Sequence, residues 1–271
     1  MKKYIIGNWK MNLNVHEASL FVAKLAQVVP IRRDVETVIC PGFLALEPVS
    51  LQINHRQLKL GAQNCYWRDG GAFTGEVSAT QLRGLAQYVL IGHSERRNIF
   101  DEDDRDIRFK VQAAVRNELS PILCVGETEL ERNDGDTQHV LNDQVASGLM
   151  NISSDELDGV LIAYEPVWAI GTGCTPQVKD VEEAVSIIRA QVAHMFGRAA
   201  AAKVPVLYGG SVSTMNDRDY LSAKGVNGLL VGHNSLIAPE FAHFVDTAAE
   251  VAKQENVANG WFWFWGARPG N

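Results

Sequence analysis

Short apolar runs alternate with longer segments of helical periodicity over most of the chain. Each run is followed by a segment in which apolar residues recur every three or four positions, as they do on one face of a helix. The pattern predicts eight strands, at residues 4–7, 35–40, 58–63, 88–92, 121–125, 160–164, 204–208 and 228–231. The clearest predicted helices lie at residues 16–28, 104–117, 138–149, 181–196 and 239–251, with shorter ones at 44–51, 78–86 and 215–223.

Most of the predicted strands are apolar throughout, which is typical of parallel strands buried on both faces. Eight strand–helix units predict an α/β fold, a single (β/α)8 barrel with outer helices. An open doubly wound sheet is the competing interpretation, but Asn8, Trp9 and Lys10 follow the first strand where that fold would normally carry a GxGxxG turn. We expect the barrel domain to span residues 1–252, and residues 253–271 to form an aromatic-rich C-terminal extension of unknown role.

The composition and net charge of the chain limit the kinds of molecule that it is expected to bind. Of the 271 residues, 46% are hydrophobic, which is ordinary for a chain able to bury a sizeable core. The formal net charge of −7 argues against a general affinity for nucleic acid or for an anionic membrane. No apolar run approaches the length of a membrane helix, and the N-terminal one is too short for a signal peptide. We therefore expect a cytoplasmic protein.

The four cysteines are widely spaced and form no CxxC pair, so neither a zinc site nor a disulfide framework is indicated. Cys40 and Cys124 end apolar runs, and we expect them to be buried thiols. No metal and no cofactor are expected.

Polar and glycine residues come directly after the predicted strands. In a (β/α)8 barrel these positions share the C-terminal face, where active sites are built. They are Asn8, Lys10, Gln63, Asn64, His93, Glu95, Glu127, Glu165, Gly209, Gly210, Ser211, Gly232 and His233. The segregation of apolar runs from polar ends predicts a catalytic face.

Glu165 ends the sixth strand and is followed by an apolar segment between a proline and two glycines. A proline disfavours helical backbone in the residue before it, so the Glu165 carboxylate should have a fixed place at the strand end. A shielded carboxylate suits a general base. We interpret the following residues as a lid that excludes water, although an ordinary loop with a surface tryptophan is the alternative. The lid comprises Pro166, Val167, Trp168, Ala169, Ile170, Gly171, Thr172 and Gly173.

Two more side chains suit proton transfer beside a carbonyl group. His93 precedes a segment that can begin a helix, and the positive end of a helix dipole favours neutral imidazole, which still donates a hydrogen bond. Lys10 can stabilise a developing oxyanion and can be held by Glu95. The alternatives are a structural histidine and a solvated surface lysine.

A phosphate site is indicated after the last two strands. Gly209, Gly210 and Ser211, with Gly232 nearby in the fold, leave backbone N–H groups open to an anion, although such a triplet is more often a plain turn. Together these parts predict proton abstraction beside a carbonyl on a small phosphorylated substrate.

Five motifs resemble the triosephosphate isomerase family. They are NWKMN at 8–12, GAFTGE at 71–76, GHSERR at 92–97, AYEPVWAIGTG at 163–173 and YGGSV at 208–212, and the match runs in register from about residue 3 to residue 244. The resemblance implies a TIM barrel that interconverts dihydroxyacetone phosphate and D-glyceraldehyde 3-phosphate through an enediolate. This reaction belongs to glycolysis and gluconeogenesis and needs no cofactor.

The resemblance also implies roles for residues. Glu165 would shuttle the proton and His93 would polarise the oxygens, within a catalytic set of Asn8, Lys10, His93, Glu95 and Glu165. Asn8 and Lys10 would bind the substrate, and Gly171, Gly210, Ser211, Gly232 and the backbone of His233 would hold its phosphate. The loop 63–76 is similar to one that inserts into a neighbouring subunit, which implies a homodimer with Thr74, Gly75, Glu76 and Arg96 at its interface.

The chain departs from the family pattern in two places. His233 stands where the family usually has a second glycine, and two hypotheses stay open: only its backbone N–H is used, or its protonated ring helps to bind phosphate. The second departure is the run of five aromatic residues, 261–265, which does not alternate with polar residues. Three interpretations of this run stay open: it packs on the barrel, it mediates assembly, or it forms an exposed patch.

Two other functions compete with the isomerase. One is a metal-dependent epimerase on the same fold, and the other is a barrel without catalytic activity. The missing His/Asp ligand set argues against the first, and the presence of Glu165, His93 and Lys10 argues against the second.

Overall fold

The apolar runs form eight parallel strands that close into a barrel in the order of the sequence, with the eighth strand paired to the first. The computed structural model describes residues 2–170 and 174–266, and their side chains as far as residue 257. The strands are β1 (Lys3–Asn8), β2 (Val35–Cys40), β3 (Lys59–Ala62), β4 (Tyr88–Ile91), β5 (Ser120–Val125), β6 (Leu161–Tyr164), β7 (Val206–Tyr208) and β8 (Gly228–Val231). The predicted (β/α)8 barrel is confirmed.

Helices cover the outside of the barrel, and the longer ones lie where the periodicity predicts them. Within the described residues they are α1 (Val15–Val28), α2 (Phe43–Ser50), α3 (Ala79–Leu82), α4 (Ser94–Ile99), α5 (Asp104–Arg116), α6 (Glu129–Asn133), α7 (Thr137–Gly148), α8 (Val178–Phe196), α9 (Arg198–Ala201), α10 (Asp217–Ser222) and α11 (Ala238–Gly266). Side chains set several helix starts. Asn14 accepts a hydrogen bond from the Glu17 N–H while the Glu17 carboxylate accepts one from the Asn14 N–H, which satisfies two free donors at the start of α1.

The strands are apolar on both faces because two cores meet at the barrel wall. One face of each strand packs against the helices. The other fills the barrel interior with Ile6, Val38, Cys40, Leu90, Ile122, Cys124, Leu161, Ala163, Leu207 and Leu230. The expectation that Cys40 and Cys124 are buried thiols is confirmed. Burial raises the pKa of both thiols, so they stay protonated and act as small apolar side chains.

The last helix extends beyond its predicted end and crosses the expected domain boundary at residues 252 and 253 without a break. Apolar periodicity reports only the part of a helix that packs on a core, whereas residues such as Ala, Lys, Gln and Glu continue a helix without it. Glu255 lies in this continuation and accepts a hydrogen bond of 2.7 Å from Lys3 Nζ. Lys3 is 1% exposed and also donates to the carbonyls of Leu221 and Val226.

The ion pair shows which end of the barrel the later part of α11 reaches. Lys3 begins β1, so Glu255 lies at the end of the barrel where the strands start. Among the described residues, no helix combines the length and the apolar character needed to cross a bilayer.

Candidate active site

A cavity of about 570 Å³ opens at the C-terminal ends of the strands. Loops after β1, β4, β6, β7 and β8 contribute to it, as expected for the catalytic face of a barrel. Its lining includes Asn8, Lys10, His93, Ser94, Glu95, Asn98, Ile99, Glu165, Val167, Ile170, Gly209, Gly210, Ser211, Val212, Leu230, Gly232, His233 and Asn234. Every predicted catalytic and substrate-binding residue in the described part of the chain lies in this lining, whereas Gly171 falls outside the described residues.

Glu165 directly follows β6, and its carboxylate is held between two donors. The side chain is 3% exposed; Oε2 accepts a hydrogen bond of 2.8 Å from the Ser94 N–H, and Oε1 lies 3.2 Å from His93 Nε2. Two neighbouring glycines make room for it. A Cβ atom at Gly126 would lie 1.7 Å from the Glu165 carbonyl oxygen, and one at Gly209 would lie 3.0 Å from Glu165 Cγ. A side chain at Gly126 would therefore displace the backbone of Glu165.

His93 is the N-cap residue of α4, so the predicted helix start at this residue is confirmed. Its Nδ1 accepts a hydrogen bond of 3.2 Å from the Glu95 N–H, which requires Nδ1 to be unprotonated. The neutral ring then carries its proton on Nε2, the atom that faces Glu165. The geometry thus provides a neutral donor next to a carboxylate inside the cavity.

Lys10 reaches the same cavity from an unusual backbone conformation. Its φ is 52°, in the left-handed region that a residue with a side chain rarely adopts. Asn8 Oδ1 accepts from the Lys10 N–H at 3.0 Å, and Gln63 Nε2 donates to the Lys10 carbonyl at 2.8 Å. The predicted pairing with Glu95 is confirmed, because Lys10 Nζ lies 2.5 Å from Glu95 Oε1.

The loops after β7 and β8 present small residues and backbone N–H groups to the cavity. The Asn216 side chain donates to the Ser211 carbonyl at 3.1 Å within the loop after β7, and the Asn234 side chain donates to the Val212 carbonyl at 2.7 Å, which joins the two loops. His233 begins a short 3-10 helix and is exposed at the cavity rim. This corner is the most suitable place in the cavity for an anion.

The described part of the lid is a short apolar turn. Residues Val167–Ala169 form one turn of 3-10 helix after Pro166, and Ala169 is buried. Ser211 Oγ donates to the Ala169 carbonyl at 3.1 Å, which connects the lid to the loop after β7. Gly171, Thr172 and Gly173, the predicted second hinge, lie outside the described residues.

A buried carboxylate anchors the first half of the lid. Glu127 is fully buried, and its Oε1 accepts hydrogen bonds from Trp168 Nε1 at 2.9 Å and from the Tyr164 hydroxyl at 3.0 Å. Burial, and then the Glu127 carboxylate, raise the pKa of the Tyr164 phenol, so it stays protonated and donates. The Arg132 guanidinium lies 4.2 Å from the centre of the Trp168 ring. Trp168 is therefore fixed by a hydrogen bond to Glu127 and by the Arg132 guanidinium, unlike a surface side chain without contacts.

Glu127 and Gln63 follow barrel strands, which suggests that they belong to the catalytic cavity, but the structure places them elsewhere. Neither lines the cavity: Glu127 supports the lid, and Gln63 supports the backbone of Lys10. Their positions predict the correct end of the barrel, but their partners lie far away in the sequence. A polar residue after a barrel strand was the only signal available for either residue.

The residues expected at a subunit interface follow two neighbouring strands, β3 and β4. Thr74, Gly75 and Glu76 are exposed at the end of the long loop after β3. Arg96 is partly buried, and its Nε donates to Glu102 Oε2 at 2.5 Å. Glu102 in turn accepts from Lys110 at 2.5 Å, so Arg96 belongs to a paired cluster within one chain.

Comparisons with known proteins point to one family. A family model described as triosephosphate isomerase matches residues 3–248. The chain is 43% identical over 245 residues to the triosephosphate isomerase of Natranaerobius thermophilus, covering 90% of this chain and 95% of the relative. It is 43% identical over 243 residues to that of Moorella thermoacetica, covering 89% and 97%. With that of Clostridium perfringens it shares 41% identity over 243 residues, covering 89% and 98%.

Proposed function

Since the chain belongs to the triosephosphate isomerase family and interconverts dihydroxyacetone phosphate and D-glyceraldehyde 3-phosphate, we propose that the Glu165 carboxylate moves the proton between the two carbons. The reaction is an aldose–ketose isomerisation of glycolysis. The proposal rests on one observation: a carboxylate that is 3% exposed lies 3.2 Å from a neutral imidazole inside a cavity of substrate size. No cofactor takes part in the proposed reaction.

His93 polarises the carbonyl oxygen in the proposed mechanism. Because its proton lies on Nε2, it donates a hydrogen bond to the substrate oxygen while Glu165 removes the proton from the adjacent carbon. The positive charge of Lys10 stabilises the enediolate oxygen, and Glu95 and Asn8 hold Lys10 in position. His93 Nε2 protonates the oxygen of the former carbonyl and takes a proton from the oxygen of the former hydroxyl, and Glu165 returns its proton to the neighbouring carbon.

The phosphate occupies the corner formed by Gly210, Ser211, Gly232 and the backbone of His233, with Gly171 joining it from the lid. The open backbone N–H groups and the hydroxyl of Ser211 suit an anion there. The lid, Pro166 to Gly173, covers the site during the reaction. Exclusion of water protects the enediolate, which can otherwise lose its phosphate.

An isomerase assay coupled to consumption of the product tests the role of Glu165. Glu165→Gln keeps the shape of the side chain but removes the base, so kcat should fall by at least about 100-fold. Glu183→Gln, an exposed glutamate of α8, is the matched control and should leave kcat unchanged. A Glu165→Gln protein with kcat near that of the wild type would refute the mechanism.

A homodimer in the cytoplasm completes the proposal. Exposed apolar residues, Met11, Phe43, Leu44, Phe73, Ile99 and Phe100, follow the four neighbouring strands β1 to β4. Exposed apolar side chains after four neighbouring strands support an interface on this side of the barrel, with Thr74, Gly75, Glu76 and Arg96 within it. Light scattering of the purified protein should give twice the chain mass of 29.8 kDa, and a mass of one chain would refute the dimer.

A further inference from the structure

A second cavity lies on the side of the barrel, away from the active site. It has a volume of about 520 Å³ and lies between residues 67–70 of the loop after β3 and one face of α5. We call it the lateral cavity, and its lining comprises Trp67, Arg68, Asp69, Gly70, Arg105, Phe109, Gln112 and Arg116. The four residues from α5 are spaced by four, three and four positions, so they share one face of the helix.

Aromatic rings support the arginine side chains of the lateral cavity. The guanidinium of Arg68 lies 4.3 Å from the centre of the Trp67 ring, and the Trp67 and Phe109 rings are 5.3 Å apart. The guanidinium of Arg105 lies 5.7 Å from the centre of the Phe109 ring. A guanidinium placed over a ring keeps its N–H donors free at its edge, so these groups stay available to an anion.

The charges of the lining are not balanced within the described part of the chain. Three arginines and one aspartate give the lining a formal charge of +2, in a chain whose net charge is −7. Asp69 accepts from Arg116 at 2.9 Å and from Asn117 at 3.0 Å, and these hydrogen bonds lower the pKa of its carboxyl. Among the described residues, neither Arg68 nor Arg105 forms an ion pair.

The acidic residues just before Arg105 have other partners and form no ion pair with Arg105. Glu102 accepts from Lys110, Asp103 caps α5 by accepting from the Asp106 N–H, and Asp104 pairs with Arg97. Arg68 and Arg105 therefore line a concave space without an ion-pair partner in the part of the chain that the structure describes. The planar guanidinium group of arginine matches the oxygens of phosphate, and two such groups in one cavity favour a ligand with more than one phosphate.

We propose that the lateral cavity binds a polyphosphate anion, either inorganic pyrophosphate or the diphosphate or triphosphate of a nucleotide. The site is separate from the isomerase site, since the two cavities share no lining residue. Arg68 and Arg105 bind the phosphate oxygens, and Arg116, already paired with Asp69, closes one side. The volume is within the range of small-molecule sites.

Titration calorimetry of the full chain with pyrophosphate tests this site, with saturating dihydroxyacetone phosphate present to occupy the isomerase site. One pyrophosphate should bind per chain, and Arg68→Gln/Arg105→Gln should raise Kd at least about tenfold. Arg33→Gln/Arg56→Gln removes two exposed arginines outside the cavity and should leave Kd unchanged. Both double variants should keep the isomerase activity of the wild type.

A parallel titration with ATP distinguishes the two sources of the phosphate groups. Tighter binding of ATP than of pyrophosphate identifies a nucleotide site, whereas equal binding identifies a site for the phosphates alone. The proposal is overturned if substrate displaces all bound pyrophosphate, or if both double variants weaken binding equally, because surface charge alone would then explain it.

Discussion

Trp168 of the lid donates its indole N–H to Glu127, a carboxylate with no exposed surface, across 41 residues of sequence. The hydrogen bond ties the first half of the lid to the loop after β5. Arg132 completes the arrangement, because its guanidinium lies over the Trp168 ring and its Nη1 is 3.4 Å from Glu127 Oε1. The first half of the lid and the Glu127 carboxylate are therefore held by the same contacts.

Arg132→Met should lower the free energy of unfolding by about 2 kcal/mol. The substitution leaves Glu127 buried without its nearest cation, although Arg132 is 33% exposed and its contribution is correspondingly reduced by solvent. Arg132→Lys keeps the charge and should recover part of the loss. Urea unfolding measures both, and a change below about 0.5 kcal/mol for the methionine variant would contradict the assigned role.

Lys10→Gly and Lys10→Met should separate the backbone strain at this position from its charge. Both variants lose the ammonium group, so kcat should fall by at least about 100-fold in each. Only glycine accepts a φ of 52° without strain, so the glycine variant should be more stable than the methionine variant by about 1 kcal/mol. Thermal and urea unfolding provide the comparison, and equal stabilities would show that the conformation costs nothing.

Glu102→Gln should destabilise the protein more at neutral pH than in acid. Burial raises the pKa of Glu102, but Lys110 and Arg96 outweigh it and bring the pKa below its ordinary value of 4.5. The folded state then binds fewer protons, so the contribution is complete above pH 4.5 and is lost as pH falls through the lower folded pKa. We expect a loss of about 3 kcal/mol at pH 7 and a smaller one at pH 3.5.

Unfolding in urea at both pH values tests this dependence. The same loss at pH 7 and at pH 3.5 would mean that the carboxylate charge of Glu102 does not contribute to stability.

Truncation should distinguish the part of α11 that supports the barrel from the part that follows. Removal of residues 258–271 keeps the Lys3–Glu255 pair, whereas removal of 253–271 leaves buried Lys3 with two carbonyl partners. Because Glu255 is 37% exposed, the longer truncation should cost about 1 kcal/mol more. Glu255→Gln should reproduce most of that difference, and kcat/KM should stay unchanged in all three proteins.

His233→Gly tests the two hypotheses for the eighth loop. If only the backbone N–H binds phosphate, KM should stay within about twofold of the wild-type value, since the exposed ring contributes little. A marked fall in KM would show that the ring obstructs the phosphate. If the protonated ring binds phosphate, wild-type affinity should improve towards pH 6, after correction for substrate ionisation, and the variant should lose that improvement.

The barrel and the location of its active site could be predicted from local patterns. Apolar runs mark the strands because both faces are buried, and Pro166 fixes Glu165 at a strand end. His93 at the start of α4 follows equally from the neighbouring residues. In each case the signal lies within a few positions of the residue concerned.

What sequence reasoning missed depends on contacts between distant residues. Glu127 meets Trp168 only because β5 and β6 are neighbours in the closed barrel. The left-handed backbone of Lys10 is not a local preference of lysine, and besides the local bond to Asn8 it is supported by the hydrogen bond from Gln63, 53 residues away. Such contacts are set by how the barrel closes, which no local pattern records.

The ion pair between Lys3 and Glu255 joins the first strand, β1, to the last helix, α11, at a distance of 2.7 Å. Both lie at the end of the barrel where the strands start, opposite the catalytic cavity. A short linker from residue 257 back to residue 2 would therefore close the circle of eight β/α units, and the chain would then be opened at an exposed loop elsewhere. The fold is thus suited to circular permutation, because a new order of the same eight units would leave the active site intact.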